Sequence, residues 1–216
     1  MKFREEEALR YLGAKGAPDE QTSALLRDAA AQLDAIATPR HAVLRVRAEL
    51  SGTRVTLGAF QADCVALAAH LAGCGAAYLF AATLGAEVDR AMARLAKLDV
   101  ARAFALQACA ASALECFCDD TCAALAQECA AEGLYLRPRF SPGYSGFSVA
   151  HQTDLLRALQ ADKRLGLAET DSHMLTPLKS VTAVIGLCPE KQQPCPEHKC
   201  ALCDNLTCNY RKEPQK

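Results

Sequence analysis

The chain contains no Trp, and aromatic residues make up only 6% of it. Its interior must therefore be built from aliphatic side chains and from its abundant Ala, a composition that favours helix. It has no excess of either charge: the formal net charge is −1. No strong field is available to hold nucleic acid or an anionic membrane. Met1 to Arg10 is charged from the start and lacks the apolar core of a signal peptide. The longer apolar runs are interrupted by Asp, His, Arg or Gln, so none reads as a membrane span. A soluble, cytoplasmic protein with neither a nucleic-acid nor a membrane partner is expected. No G-x-G-x-x-G or P-loop pattern is present, and no Ser/His/Asp or Cys/His catalytic set stands out.

What is there is enough apolar sequence, 51% of 216 residues, for one sizeable core and a small appendage. Glu5 to Gly13 has a short helical pattern. Ser23 to Ile36 is an amphipathic helix with Leu25, Leu26, Ala29, Leu33 and Ile36 on one face. The period then changes to alternation over His41 to Leu50. Ser51-Gly52-Thr53 is turn chemistry and Val55 to Leu57 resumes an extended pattern, which together predict a hairpin. A helix over Ala62 to Leu71, a buried strand over Ala77 to Leu84 and a helix over Glu87 to Leu98 follow. Val100 to Ala131 is a long Ala-rich helical stretch, with Asp119-Asp120 as a candidate break. A helix is expected over Val149 to Lys163, and an irregular or extended segment over Glu169 to Lys179. A β-branched core strand over Ser180 to Leu187 completes the set. The pattern is α+β: a small, mainly antiparallel sheet packed with long helices. Strands do not alternate regularly with helices, which disfavours a doubly wound fold.

Twelve Cys without an export signal argue against a disulfide framework. Seven of them, Cys64, Cys74, Cys109, Cys116, Cys118, Cys122 and Cys129, are scattered through apolar sequence and read as small core residues. The other five, Cys188, Cys195, Cys200, Cys203 and Cys208, crowd the last 29 residues together with His198. Soft ligands at that density point to a metal. Zinc or an iron–sulfur cluster suits Cys195, Cys200, Cys203 and Cys208, with Cys188 and His198 as further candidates. The segment has too little apolar content to fold by burial alone, so a metal would organise it. Two regions are expected: 1–187, with a helical N-terminal part to about residue 40, and a Cys-rich metal-binding region over 188–216.

Between two helical segments lies Arg137 to Gly146, R-P-R-F-S-P-G-Y-S-G. Pro and Gly make it a shaped loop. Arg139 carries a planar fork suited to a carboxylate or phosphate. Tyr144 offers a flat ring with a polar end, and Gly143 allows close approach to the backbone.

Arg139-x-x-Pro142-Gly143-Tyr144 resembles the R-x-x-P-G-Y signature of the activation domain of cobalamin-dependent methionine synthase. The resemblance continues upstream in Lys97-Leu98-Asp99-Val100-Ala101-Arg102-Ala103 and downstream in Leu175 to Ala183. The chain looks most like short stand-alone members of that superfamily, which end in C-x2-C-x4-C, here Cys200, Cys203 and Cys208. The resemblance implies a domain that binds S-adenosylmethionine and supports reductive methylation of cob(II)alamin, with one electron from an external donor. It implies that Arg139 holds the methionyl carboxylate, that Pro142, Gly143 and Tyr144 line the ligand, and that Glu115 lies near the site. The cobalamin would be carried by a separate methionine synthase or another corrinoid protein, because no cobalamin-binding region is present in the chain. The methyl group is already activated by the sulfonium, so no protein nucleophile is required and the module is not expected to catalyse alone. A metal-binding interaction protein that has lost the ligand is the contrasting reading. After Tyr144 the chain continues Ser145-Gly146-Phe147-Ser148, where the fused enzymes have a Pro-Cys-Pro-like turn. No aromatic residue occurs in Ser180 to Leu187 to match the one that packs near the ligand in those enzymes.

Overall fold

The structure is a computed structural model and describes residues 1–14 and 18–190. The chain begins with helices α1 (Glu5–Tyr11) and α2 (Glu20–Ile36). The carboxylate of Asp19 accepts from the Thr22 N–H at 2.7 Å and fixes the start of α2. Three strands follow, β1 (Arg40–Ser51), β2 (Arg54–Leu57) and β3 (Phe60–Asp63), then α3 (Val65–His70) and β4 (Ala76–Thr83). Helix α4 (Ala86–Leu98) leads through Asp99 into α5 (Val100–Ala131). After β5 (Tyr135–Leu136) comes the loop with the Pro-Gly-Tyr turn. A 3-10 turn (Val149–His151), α6 (Gln152–Leu159) and α7 (Ala161–Leu165) follow it. The short strands β6 (Ala168–Glu169) and β7 (Leu175–Thr176) form a separate antiparallel pair, and β8 (Ser180–Cys188) is the last element.

One six-stranded sheet in the order β3-β2-β1-β4-β8-β5 carries the fold, and every neighbouring pair is antiparallel. This is the α+β architecture that the sequence predicts. The adjacent strands β4 and β8 are buried on both faces, which explains why both read as continuous apolar runs. Phe80 and Ala183 face a core shared with α1, α2, α4 and α5. Leu79 and Val184 face a second core with α3, α6 and α7. Gly186 on the second face has no room for a side chain. A Cβ there would stand 2.7 Å from the Cys74 sulfur and 2.9 Å from Arg137 Cγ.

Three expectations need correction. The segment Ala62 to Leu71 is not one helix. Phe60 and Ala62 are buried while Gln61 and Asp63 are exposed, so the alternation makes strand β3, and α3 starts only after Cys64. The single helix over Val149 to Lys163 is a 3-10 turn and two short helices, broken at Gln160, whose φ of +50° is left-handed. Helix α5 is unbroken over 32 residues, about 48 Å at 1.5 Å per residue. Asp119 and Asp120 do not interrupt it because each reaches a cation outside the helix: Arg4 and Arg139 for Asp119, Lys2 for Asp120. By length and mean hydropathy α5 alone among the described helices could cross a membrane, but half of its most apolar window is buried inside the protein. Its small residues let α1, α2 and α4 pack closely along it.

Candidate functional site

The site begins with an edge of β8 that is only half covered. Toward its C-terminal end β8 pairs with β5 through Leu187 and Cys188. The Arg137 N–H donates to the Gly186 carbonyl, and Phe140 and Val184 exchange both backbone hydrogen bonds at 2.9 Å. Beyond Val184 the same edge runs bare through Thr182 to Ser180, and there a cavity of about 1170 Å³ opens. Because it lies at a strand edge, the cavity reaches past both faces of the sheet. Helix α5 contributes Glu115, Asp119 and Cys122 from one side, α6 contributes Gln152 from the other, and the β6–β7 hairpin closes the rim with His173 and Met174.

The loop over Arg137 to Ser145 covers the cavity and is held by rings rather than by a hydrophobic strand. Phe140 stacks on His70 at 4.7 Å between centroids and on Phe147 at 5.8 Å. Phe147, 1% exposed, also meets His151 at 5.4 Å and the edge of Phe60 at 6.3 Å. Between these anchors the chain reverses. The Gly143 N–H donates to the Phe147 carbonyl at 2.7 Å, and the Phe147 N–H donates to the Tyr144 carbonyl at 2.8 Å. Gly143 at φ +93° and Gly146 at φ +79° are conformations that a side chain disfavours. Tyr144 is thereby pushed out and stands 69% exposed at the cavity mouth.

Arg139, at the charged end, donates to Glu115 at 2.8 Å and to Asp119 at 2.9 Å, and approaches the Cys122 sulfur at 3.6 Å. The three partners lie four and three residues apart on α5 and share one face of it. Asp119 also accepts from Arg4. Burial raises its carboxyl, but the two guanidinium groups outweigh burial and hold it below the usual carboxylate range. One cation is thus paired directly with two anions on the cavity wall, a set whose members match the carboxylate and the ammonium of an amino-acid ligand end.

Four of the predicted ligand residues, Glu115, Arg139, Pro142 and Tyr144, line this one cavity, and Gly143 forms the turn beside it without lining it. Sequence reasoning missed Asp119 and Cys122, although their spacing from Glu115 is the helical signal that finds them. It also missed Gln152, Thr182 and His173. His173 adopts a left-handed φ of +61°, and its Nδ1 pairs with Glu169 at 3.2 Å. Of the proposed metal ligands, Cys188 is buried at the end of β8 opposite Tyr135. Cys195, His198, Cys200, Cys203 and Cys208 lie outside the described residues. Among the described residues no group of three or more His, Cys, Asp or Glu could hold a metal.

The described cysteines are all free thiols, buried except for the half-buried Cys122. Burial pushes the Cys118 thiol up to about 12 and Cys109 up to about 11. Less than ~1% of either is thiolate at pH 8, and the thiolate is the reactive form. Peptide-resolved mass spectrometry after iodoacetamide treatment at pH 8 is expected to find Cys122 modified well before Cys109 and Cys118. Equal labelling of the three would mean that α5 opens in solution.

No protein-family model matches the chain, and no curated protein matches it in sequence. Solved structures do. A crystal structure described as the MetH reactivation domain bound to AdoHcy superposes with a TM-score of 0.66 at 20% identity, covering 86% of this chain and 74% of that one. The chain has the reactivation-domain fold. At that identity the likeness is one of architecture, and residue roles rest on the cavity itself. The sheet and long helices that the sequence predicts are those of the reactivation domain, including an antiparallel sheet flanked by extended helices.

Proposed function

We propose that the protein is a stand-alone reactivation module. It binds S-adenosylmethionine in the cavity at the β8 edge and docks on the cobalamin-binding domain of a separate methionine synthase or of another corrinoid protein. There it orients the methyl donor for reductive methylation of cob(II)alamin, while a separate electron donor supplies one electron in the cytoplasm. The observation that carries this reading is the meeting of Arg139, Glu115 and Asp119 in one cavity beside the Pro142-Gly143-Tyr144 turn. The fold is shared with a domain whose crystal structure holds AdoHcy, and the paired charges suit the amino-acid end of such a ligand. Arg139 takes the carboxylate, Glu115 and Asp119 take the ammonium, and Tyr144 closes over the ligand. The role of this chain is binding and orientation. Tyr144, Met174 and Leu178, 69%, 57% and 58% exposed at the cavity rim, supply apolar surface for a docking partner.

Titration calorimetry with S-adenosylmethionine tests the reading: saturable heat at one site is expected, and no heat with the full chain would sink it. The ligand is also expected to slow iodoacetamide labelling of Cys122, which lines the cavity.

The region beyond β8 is assigned to metal binding through Cys195, Cys200, Cys203 and Cys208, with His198 and, from the end of β8 itself, Cys188 as further candidates. Metal analysis after anaerobic purification is expected to find bound zinc or iron. A brown protein absorbing near ~400 nm indicates iron–sulfur, and a colourless one zinc. Protein free of both metals would remove the assignment.

A further inference from the structure

The neutral side of the cavity holds a polar group that its charged end does not account for. Gln152 is the first residue of α6 and is only 6% exposed, yet it lines the cavity. Its Oε1 accepts from the Thr182 hydroxyl at 2.8 Å, and Thr182 is 2% exposed. The Nε2 amide makes no hydrogen bond among the described residues, and it is not among the polar atoms sealed from solvent. With the rest of the side chain buried, that amide faces the cavity. Val149, Leu175 and Val181 line the cavity as well. A carboxamide donor with a partly apolar surround favours a ligand that brings an acceptor.

We infer that Gln152, held in one orientation by Thr182, reads the hydrogen-bonding edge of a purine and gives the site its preference for adenine. This rests on the reading of the cavity as a site for an S-adenosyl ligand. Arg139, Glu115 and Asp119 stand on the α5 side of the β8 edge, whereas Gln152 approaches from the α6 side. A ligand laid across that edge puts its charged end against the first group and its neutral ring against the second. After the Thr182 bond, Gln152 keeps two N–H donors and a second lone pair on Oε1. Adenine offers a ring-nitrogen acceptor beside an exocyclic amine donor, the pattern a glutamine carboxamide complements. A 6-oxopurine instead sets a carbonyl oxygen against Oε1. Rotating the amide to relieve that contact would end the donation from Thr182 to Oε1. Thr182 is thus a positioning residue, and Gln152 is the one that sets specificity.

The test is calorimetry of S-adenosylhomocysteine and S-inosylhomocysteine with the full chain as wild type, Gln152→Leu and Thr182→Val, with melting curves to verify folding. Wild type is expected to prefer the adenosyl compound by about tenfold or more. Gln152→Leu is expected to bind it about tenfold more weakly and to prefer neither compound. Thr182→Val is expected to keep most of the affinity while the preference narrows. Equal affinity of wild type for the two compounds, or wild-type preference retained by Gln152→Leu, overturns the assignment to Gln152 while the ligand reading stands. Should Gln152→Leu fail to fold, an unchanged preference in Thr182→Val overturns it. Absence of binding of either compound to wild type overturns both the assignment and the ligand reading.

Discussion

Arg139→Ala is expected to weaken S-adenosylmethionine binding by roughly 10- to 100-fold, the effect of removing hydrogen bonds to a charged partner. The loss has two parts. The variant lacks the fork proposed to meet the methionyl carboxylate. It also leaves Glu115 and Asp119 facing that carboxylate without the cation that lies between them. Like charges four residues apart on a helix repel modestly, and both acids are near 43% exposed, so water screens much of this. Folding stability should therefore change little. A cycle with Glu115→Gln separates the two parts: a smaller loss from Arg139→Ala when Glu115→Gln is already present would assign the difference to repulsion. Equal heat from wild type and Arg139→Ala would remove Arg139 from the site.

Phe147→Ala is expected to destabilise the fold by ~3–5 kcal/mol, the range for emptying a buried phenylalanine position. The ring is 1% exposed and touches Phe60, Phe140 and His151, so its removal opens the second core and releases the stack that holds the loop over the cavity. Ligand binding should fall with it, since Arg139 is the neighbour of Phe140 and Tyr144 is set by the turn that ends at Phe147. Phe147→Leu fills more of the space and should cost less than half as much. Denaturant unfolding checks both, and a loss below ~1 kcal/mol for Phe147→Ala would mean that the stack does not hold the loop. The Ser145-Gly146-Phe147-Ser148 segment after Tyr144 thus has a physical meaning: the reversal is secured by a buried ring.

Long elements were legible because periodicity accumulates over many residues. Helices α2 and α5 and strands β1, β4 and β8 emerged close to their observed bounds. Among the short ones, α1 and β2 were found and four strands were not. Strand β3 has four residues and runs into a helix of similar composition, and β5, β6 and β7 have two residues each. The split at Gln160 depends on one left-handed residue that is not glycine. The site divides in the same way. Arg139, Pro142 and Tyr144 carry a local pattern, and Glu115 followed from resemblance. Gln152 and Thr182 are neutral, lie 30 residues apart and meet only because α6 packs on the sheet beside β8.

Strand β8 is both a wall between the two cores and a wall of the cavity. Ala183, Val184 and Ile185 are wholly buried, and Thr182 beside them lines the cavity. Substitutions along that wall cannot be made without disturbing one core or the other, so the strand resists drift. The loop over Arg137 to Ser145 and the β6–β7 hairpin touch the same cavity from outside the main sheet. Descendants of this chain that acquire a new ligand preference should carry their changes in those two segments, around a nearly invariant β8.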